Sequence, residues 1–152
     1  MKFTSTIAAV ALVAGVSAQQ ALVHNKCQDT VYVQSFPYDG SAAGPLTTVK
    51  TGETFSEDFR KSGSTVKVSK TKTLDTPLFI GYSFSSNPDY GYYELSSEWG
   101  NPFADKSVII SPGDGCQYFN CAPNDAGCYS RPDMKKVYGC PLPINVEATL
   151  CA

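Results

Sequence analysis

Histidine is almost missing from this 152-residue chain: His24 stands alone, beside one tryptophan and two methionines. A Ser-His-Asp triad therefore has a single imidazole to draw on, and no Gly-x-Ser-x-Gly turn is present to strain a nucleophile. His24 reads instead as an ordinary strand residue. There is no Cys-x-x-Cys pair, so a zinc site lacks its usual ligand spacing. The glycine motifs that cradle phosphates are absent as well, and no cofactor or metal is expected. Positive charge is scarce, with 12 Lys and Arg against 14 Asp and Glu, which leaves no basic face for nucleic acid. Beyond the first twenty residues no apolar run is long enough to span a bilayer, and no lipid-anchor tail or retention tetrapeptide closes the sequence.

The first eighteen residues do carry a signal. Lys2 precedes an apolar run from Ile7 to Val16, and Val16-Ser17-Ala18 places small residues at the −3 and −1 positions of a cleavage site. This is the plan of a secretory leader, so the expected mature protein is one domain, residues 19–152, extracellular and without a membrane span. Loss of Lys2 moves the formal charge from −2 to −3. No Asn-x-Ser/Thr sequon follows the leader, so no N-linked glycan is expected.

All six cysteines (27, 116, 121, 128, 140 and 151) lie after the leader. An even count in an oxidising compartment reads as three disulfides, with fifteen pairings open on spacing alone. Most other residues read as strands and turns. Ala21–Val23, Val31–Phe36, Thr54–Ser56, Thr65–Ser69, Leu78–Phe84 and Ser107–Ile110 are β-rich, several with apolar and polar residues in alternation. Val146, Ala148 and Leu150 alternate in the tail. Turn residues at 61–63, 87–89, 100–102 and 111–113 separate the runs at sandwich-like intervals. Only residues 93–99 leave room for a helical turn. Residues 116–140 hold four cysteines and little periodicity, which predicts a loop region ordered by disulfides. The expected class is all-β, a single-domain sandwich with a stapled C-terminal loop region.

Four segments give this outline a family character. VHNKCQDTVYVQS, TGETFSEDF with STVKVSKTK, YYELSSEWGNPF and CPLPINVEATLC together resemble the thaumatin-like proteins. At this length, Tyr93-Glu94-Leu95, Gly100-Asn101-Pro102-Phe103 and the Cys-Pro-rich tail are similar to a small fungal branch. That branch is the blastomyces yeast-phase-specific protein family of antigenic, secreted, thaumatin-like proteins. The resemblance implies the pairs Cys27–Cys151, Cys116–Cys140 and Cys121–Cys128, the last because the family's larger second domain is missing here.

It also implies a site. Larger thaumatin-like proteins have an acidic cleft, sometimes tied to β-1,3-glucan. Lys70 stands where the cleft arginine would be and Glu94 where the first aspartate would be. Trp99 replaces the second aspartate, with Glu98 beside it, and the remaining two acids have no counterpart. Glycoside hydrolysis needs two carboxyl groups at a set separation, whereas residues four apart on a strand lie about 13 Å apart. The chain is therefore expected not to be an enzyme. Aromatic rings from Tyr82 to Phe103 offer core packing or a sugar platform. If a saccharide binds, the expected contacts are Tyr92, Glu94, Glu98 and Trp99, with Lys70 from a neighbouring strand. Arg60 to Lys72, with five positives and no acid, reads as an edge strand kept soluble by lysine. The leading function is a monomeric, non-enzymatic interaction protein, antigen or effector-like, at the cell wall or facing a host. Its partner would be β-glucan or an extracellular host protein, and an antimicrobial role is the third reading.

Overall fold

The computed structural model describes residues 19–152, and the leader read from residues 1–18 lies outside the described residues. The strands are β1 (Gln20–Asn25), β2 (Val31–Pro37), β3 (Thr47–Val49), β4 (Thr54–Asp58), β5 (Ser64–Ser69) and β6 (Leu78–Ser86). They continue as β7 (Asp89–Ser96), β8 (Val108–Ser111), β9 (Phe119–Cys121), β10 (Tyr138–Pro141) and β11 (Val146–Leu150). No helix occurs among the described residues. The segment that left room for a helical turn continues β7 as far as Ser96.

The strands form two sheets, one ordered β4-β1-β11-β8-β9 and the other β10-β7-β6-β5-β2-β3. Alternation decides which side chains meet between them. From the first sheet come Ala21 and Val23, Val146, Ala148 and Leu150, and Val108 and Ile110. From the second come Val31 and Val33, Val66 and Val68, Leu78 and Ile80, and Tyr93 and Leu95. The register lines these up: Val33 faces Val68, Val66 faces Ile80, and Ile80 faces Leu95. Ser35 and Tyr82, polar groups in the interior, are satisfied by one carboxylate. The Glu57 carboxylate accepts from Ser35 Oγ at 2.7 Å and from Tyr82 Oη at 2.8 Å, and Arg60 Nε donates to it at 3.2 Å. Burial pushes the Tyr82 phenol well above its ordinary pKa.

Disulfides join Cys27 to Cys151, Cys116 to Cys140 and Cys121 to Cys128, with Cα–Cα separations of 5.0, 5.7 and 5.4 Å. The first ties the β1–β2 turn to the residue after β11. The stapled region is less irregular than its composition suggests, because it holds β9 and β10. These short strands take their ladders from neighbours, β9 from β8 and β10 from β7. Three or four residues with borrowed partners leave no periodic trace in a sequence. The edge-strand reading of the lysine-rich run is corrected too. β5 lies inside its sheet between β6 and β2, with Lys67 Nζ 4.2 Å from the Phe36 ring centre and 5.3 Å from that of Phe79. The ammonium head lies over the two aromatic faces, a cation–π contact that suits a lysine on the outer side of an interior strand.

Candidate functional site

β7 sorts its residues as the alternation predicts. Tyr93 and Leu95 turn inward, 1% and 0% exposed, while Tyr92 and Glu94 point to the outer face, half-buried. Gly81 of β6 is the direct partner of Glu94. Its lack of a side chain makes room there, since a Cβ would lie 3.0 Å from Tyr38 Oη and 3.3 Å from Glu94 Cγ. Tyr38, just past β2, crosses over this gap, and its hydroxyl accepts a bond from Thr65 Oγ1 at 3.2 Å. The result is a depression of about 120 Å³ between Tyr38, Ser83, Tyr92, Glu94 and Val137.

The charges around it form one group. Glu98 accepts from Lys135 Nζ at 2.9 Å. Burial raises the Glu94 carboxyl above its ordinary pKa, Lys135 opposes that shift, and the Glu98 charge adds to it. Tyr38 is raised as well, chiefly by burial, with the Thr65 bond opposing and Glu94 adding. Tyr92, Glu94 and Glu98 thus belong to one surface.

Lys70 does not belong to it. β6 separates β5 from β7, and Lys70 follows the last residue of β5. Its Nζ lies 5.6 Å from the ring centre of Phe103, a fully buried residue at the end of the sandwich. The β5 lysine on the same outer side of the sheet is Lys67, whose strand partner Phe79 pairs in turn with Ser96. Trp99 is 64% exposed, in the turn that Gly100 closes through its N–H to the Ser97 carbonyl at 3.2 Å. Gly100 has φ +141°, and a Cβ there would collide with the Thr76 carbonyl, so only glycine fits. Trp99 stands one residue beyond Glu98 but lines no part of the depression.

Sequence reasoning missed Tyr38, Val137 and Lys135. Tyr38 follows β2, which lies three places from β7 in the sheet, and Lys135 comes from the stapled region, so neither has a local signal. No group of three or more His, Cys, Asp or Glu side chains that could hold a metal occurs among the described residues. No helix among them is long and apolar enough to cross a membrane.

Two stacked sheets, all strand, with the first and last strands side by side and joined by a disulfide, define a thaumatin-like sandwich. The structure of the thaumatin-like xylanase inhibitor TLXI superposes with a TM-score of 0.60 at 13% identity, covering 87% of this chain and 99% of that one. That is a likeness of fold. The chain belongs to the Blastomyces yeast-phase-specific protein family, whose sequence pattern matches residues 7–152. An antigenic thaumatin-like protein of Arthroderma benhamiae is 31% identical over 149 residues, 93% of this chain and 75% of that protein. The crystal structure of the protein elicitor MoHrip2 from Magnaporthe oryzae is 89% identical with a TM-score of 0.87, covering 89% of this chain and all of that one.

Proposed function

We propose that the chain is a secreted, extracellular, non-enzymatic protein that acts by being recognised at its surface, as an elicitor or antigen facing a host. The observation that carries this reading is its 89% identity and 0.87 TM-score to a protein elicitor. The antigenic relative supports the same role. Three disulfides with no free cysteine among the described residues suit an oxidising compartment, in keeping with removal of residues 1–18 and a mature domain of 19–152.

The outer-face carboxylates support a non-catalytic role. Glu98 is held by Lys135, which leaves Glu94 as a single half-buried acid without a free partner for two-carboxylate hydrolysis. A second reading keeps this face as a weak saccharide contact, for β-glucan among others. Tyr38 and Tyr92 flank a carboxylate there, but about 120 Å³ is well below the ~300 Å³ at which small-molecule pockets begin. At most one sugar edge fits, so a protein partner leads.

The test is to apply the purified, disulfide-bonded protein to cultured plant cells and follow the oxidative burst, with reduced and alkylated protein as control. A response that needs the oxidised fold is expected. An equal response from the unfolded control, or none from either, would overturn the surface-recognition reading. Sedimentation with insoluble β-1,3-glucan, chitin and cellulose separates the second reading, with clean flow-through expected.

A further inference from the structure

One end of the sandwich collects segments that the sequence keeps far apart. The β1–β2 turn supplies Lys26, Gln28 and Asp29, the residue after β5 supplies Lys70, and the approach to β8 supplies Lys106. Together with the Cys27–Cys151 disulfide they line a hollow of about 350 Å³. Its walls are held by the backbone. Lys26 N–H donates to the Leu150 carbonyl at 3.1 Å, and Ala152 N–H donates to the Ser107 carbonyl at 3.2 Å.

The charges in this hollow are unbalanced. Three lysines line it with one carboxylate, that of Asp29. Lys106 is paired with Asp105 at 3.2 Å, outside the lining. Neither Lys26 nor Lys70 has a carboxylate within 4.0 Å among the described residues; Lys70 Nζ lies 5.6 Å from the Phe103 ring centre and shares with Lys106 the more distant attraction of Asp105. Ala152 is turned toward Ser107, whose Oγ donates to its carbonyl oxygen. Like charges converging on one hollow repel one another, and an anion placed between them removes that repulsion. The whole chain carries a formal charge of −2, so this concentration of lysine around one hollow runs against its overall balance.

We infer that the hollow is an oxyanion site, taking the sulfate or phosphate ester group of a polyol or sugar, with Lys26 and Lys70 as its main cations. Lysine heads act as point charges with rotatable donors, which suits a tetrahedral oxyanion and imposes no planar fork. The volume exceeds what one such group fills, leaving room for the ring that carries it. Asp29 repels the ester group itself, which favours seating it on the lysine side of the hollow, and the same carboxylate accepts a hydroxyl of the ring. The site lies apart from Tyr92 and Glu94, and it explains what Lys70 does once it is removed from that face.

The test uses the disulfide-bonded protein and calorimetric titration with two probes, sucrose octasulfate and inositol hexakisphosphate, against uncharged sucrose and inositol. At least one anionic probe should bind saturably, and which of the two binds more tightly separates a sulfated from a phosphorylated source. Lys26→Gln and Lys70→Gln should each weaken binding about five- to tenfold, as the loss of one charge-assisted contact does, and the pair should abolish it. Lys70→Arg should keep most of the affinity, and Lys67→Gln, on the outer face, should change nothing. Failure of both anionic probes to bind would overturn the site. So would binding that survives the double variant, or that falls equally with Lys67→Gln.

Discussion

The strands of residues 20–111 and the stapled segment of residues 116–140 are held by different forces. In the strands, alternation places valine, isoleucine and tyrosine between the sheets, and burial supplies the stability. Residues 122–127, by contrast, are exposed in every position, and the Cys121–Cys128 bridge closes around them. The stapled segment meets the core at a few points: Tyr138 against Tyr93 with ring centres 6.3 Å apart, buried Phe119 and Tyr129, and Ser130 N–H bonded to the Leu95 carbonyl at 2.8 Å. A fold can therefore keep a segment with almost no core of its own, provided that covalent links and borrowed ladders fix its ends.

The sharpest way to break the contrast is to remove the links one at a time. Replacing Cys27 and Cys151 by alanine opens a closure of 124 residues and should cost about 5 kcal/mol in the chain-entropy account, read from denaturant midpoints. Tyr93→Ala comes next. Tyr93 is buried between the sheets, its hydroxyl donates to the Gln117 carbonyl, and its ring meets Tyr138 edge-on at 6.3 Å. A loss of about 3–5 kcal/mol is expected, and protection from hydrogen exchange should fall in both regions together.

Replacing Cys121 and Cys128 removes a closure of only 7 residues, for about 2–3 kcal/mol, and exchange should rise in residues 122–137 alone. Non-reducing peptide mapping checks the pairs themselves, and a peptide linking Cys116 to Cys121 would refute them.

A smaller effect follows from Glu94. Its folded pKa is raised, chiefly by burial, so the ionised carboxylate is less comfortable in the fold than in the unfolded chain. That penalty is absent below the unfolded value of about 4.3 and grows as pH rises through the folded value. Glu94→Gln should therefore raise the melting temperature slightly at neutral pH, with the gain closing as pH falls toward 4. A gain that widens on acidification would contradict the shift. The smallest change belongs to Trp99→Ala, which should leave stability within about 0.5 kcal/mol because the ring is in water. A saccharide edge seated between Tyr38 and Tyr92 should keep its affinity in this variant, because Trp99 lines no part of that depression.

What can be read from the residues alone follows the local period. Thr65 to Ser69 and Tyr92 to Leu95 announce their faces because every second residue is apolar or shielded, and the tail announces β11 in the same way. Lys70 escapes that logic because β5 ends at Ser69, where alternation stops being a guide. The lysine-rich run looks like an edge when charge is counted without the aromatic rings of Phe36 and Phe79 that Lys67 covers. Tyr38 and Lys135 reach the Glu94 surface through tertiary packing, which no window of neighbouring residues contains. β9 and β10 are too short to show a period at all.

The parallel pairing of β1 with β11, in which Ala21 faces Val146 and Asn25 faces Leu150, bears on how the protein is made. β1 leaves the ribosome ahead of every other strand and β11 behind them, yet they form the central seam of one sheet. Until β11 is free to pair, β4-β1 and β8-β9 are two separate fragments with open edges, and neither can be zipped to the other. Joining the two fragments is then a late step, and the Cys27–Cys151 bridge beside β1 and β11 seals it. Deleting residues 146–152 should lose the seam and not merely a tail.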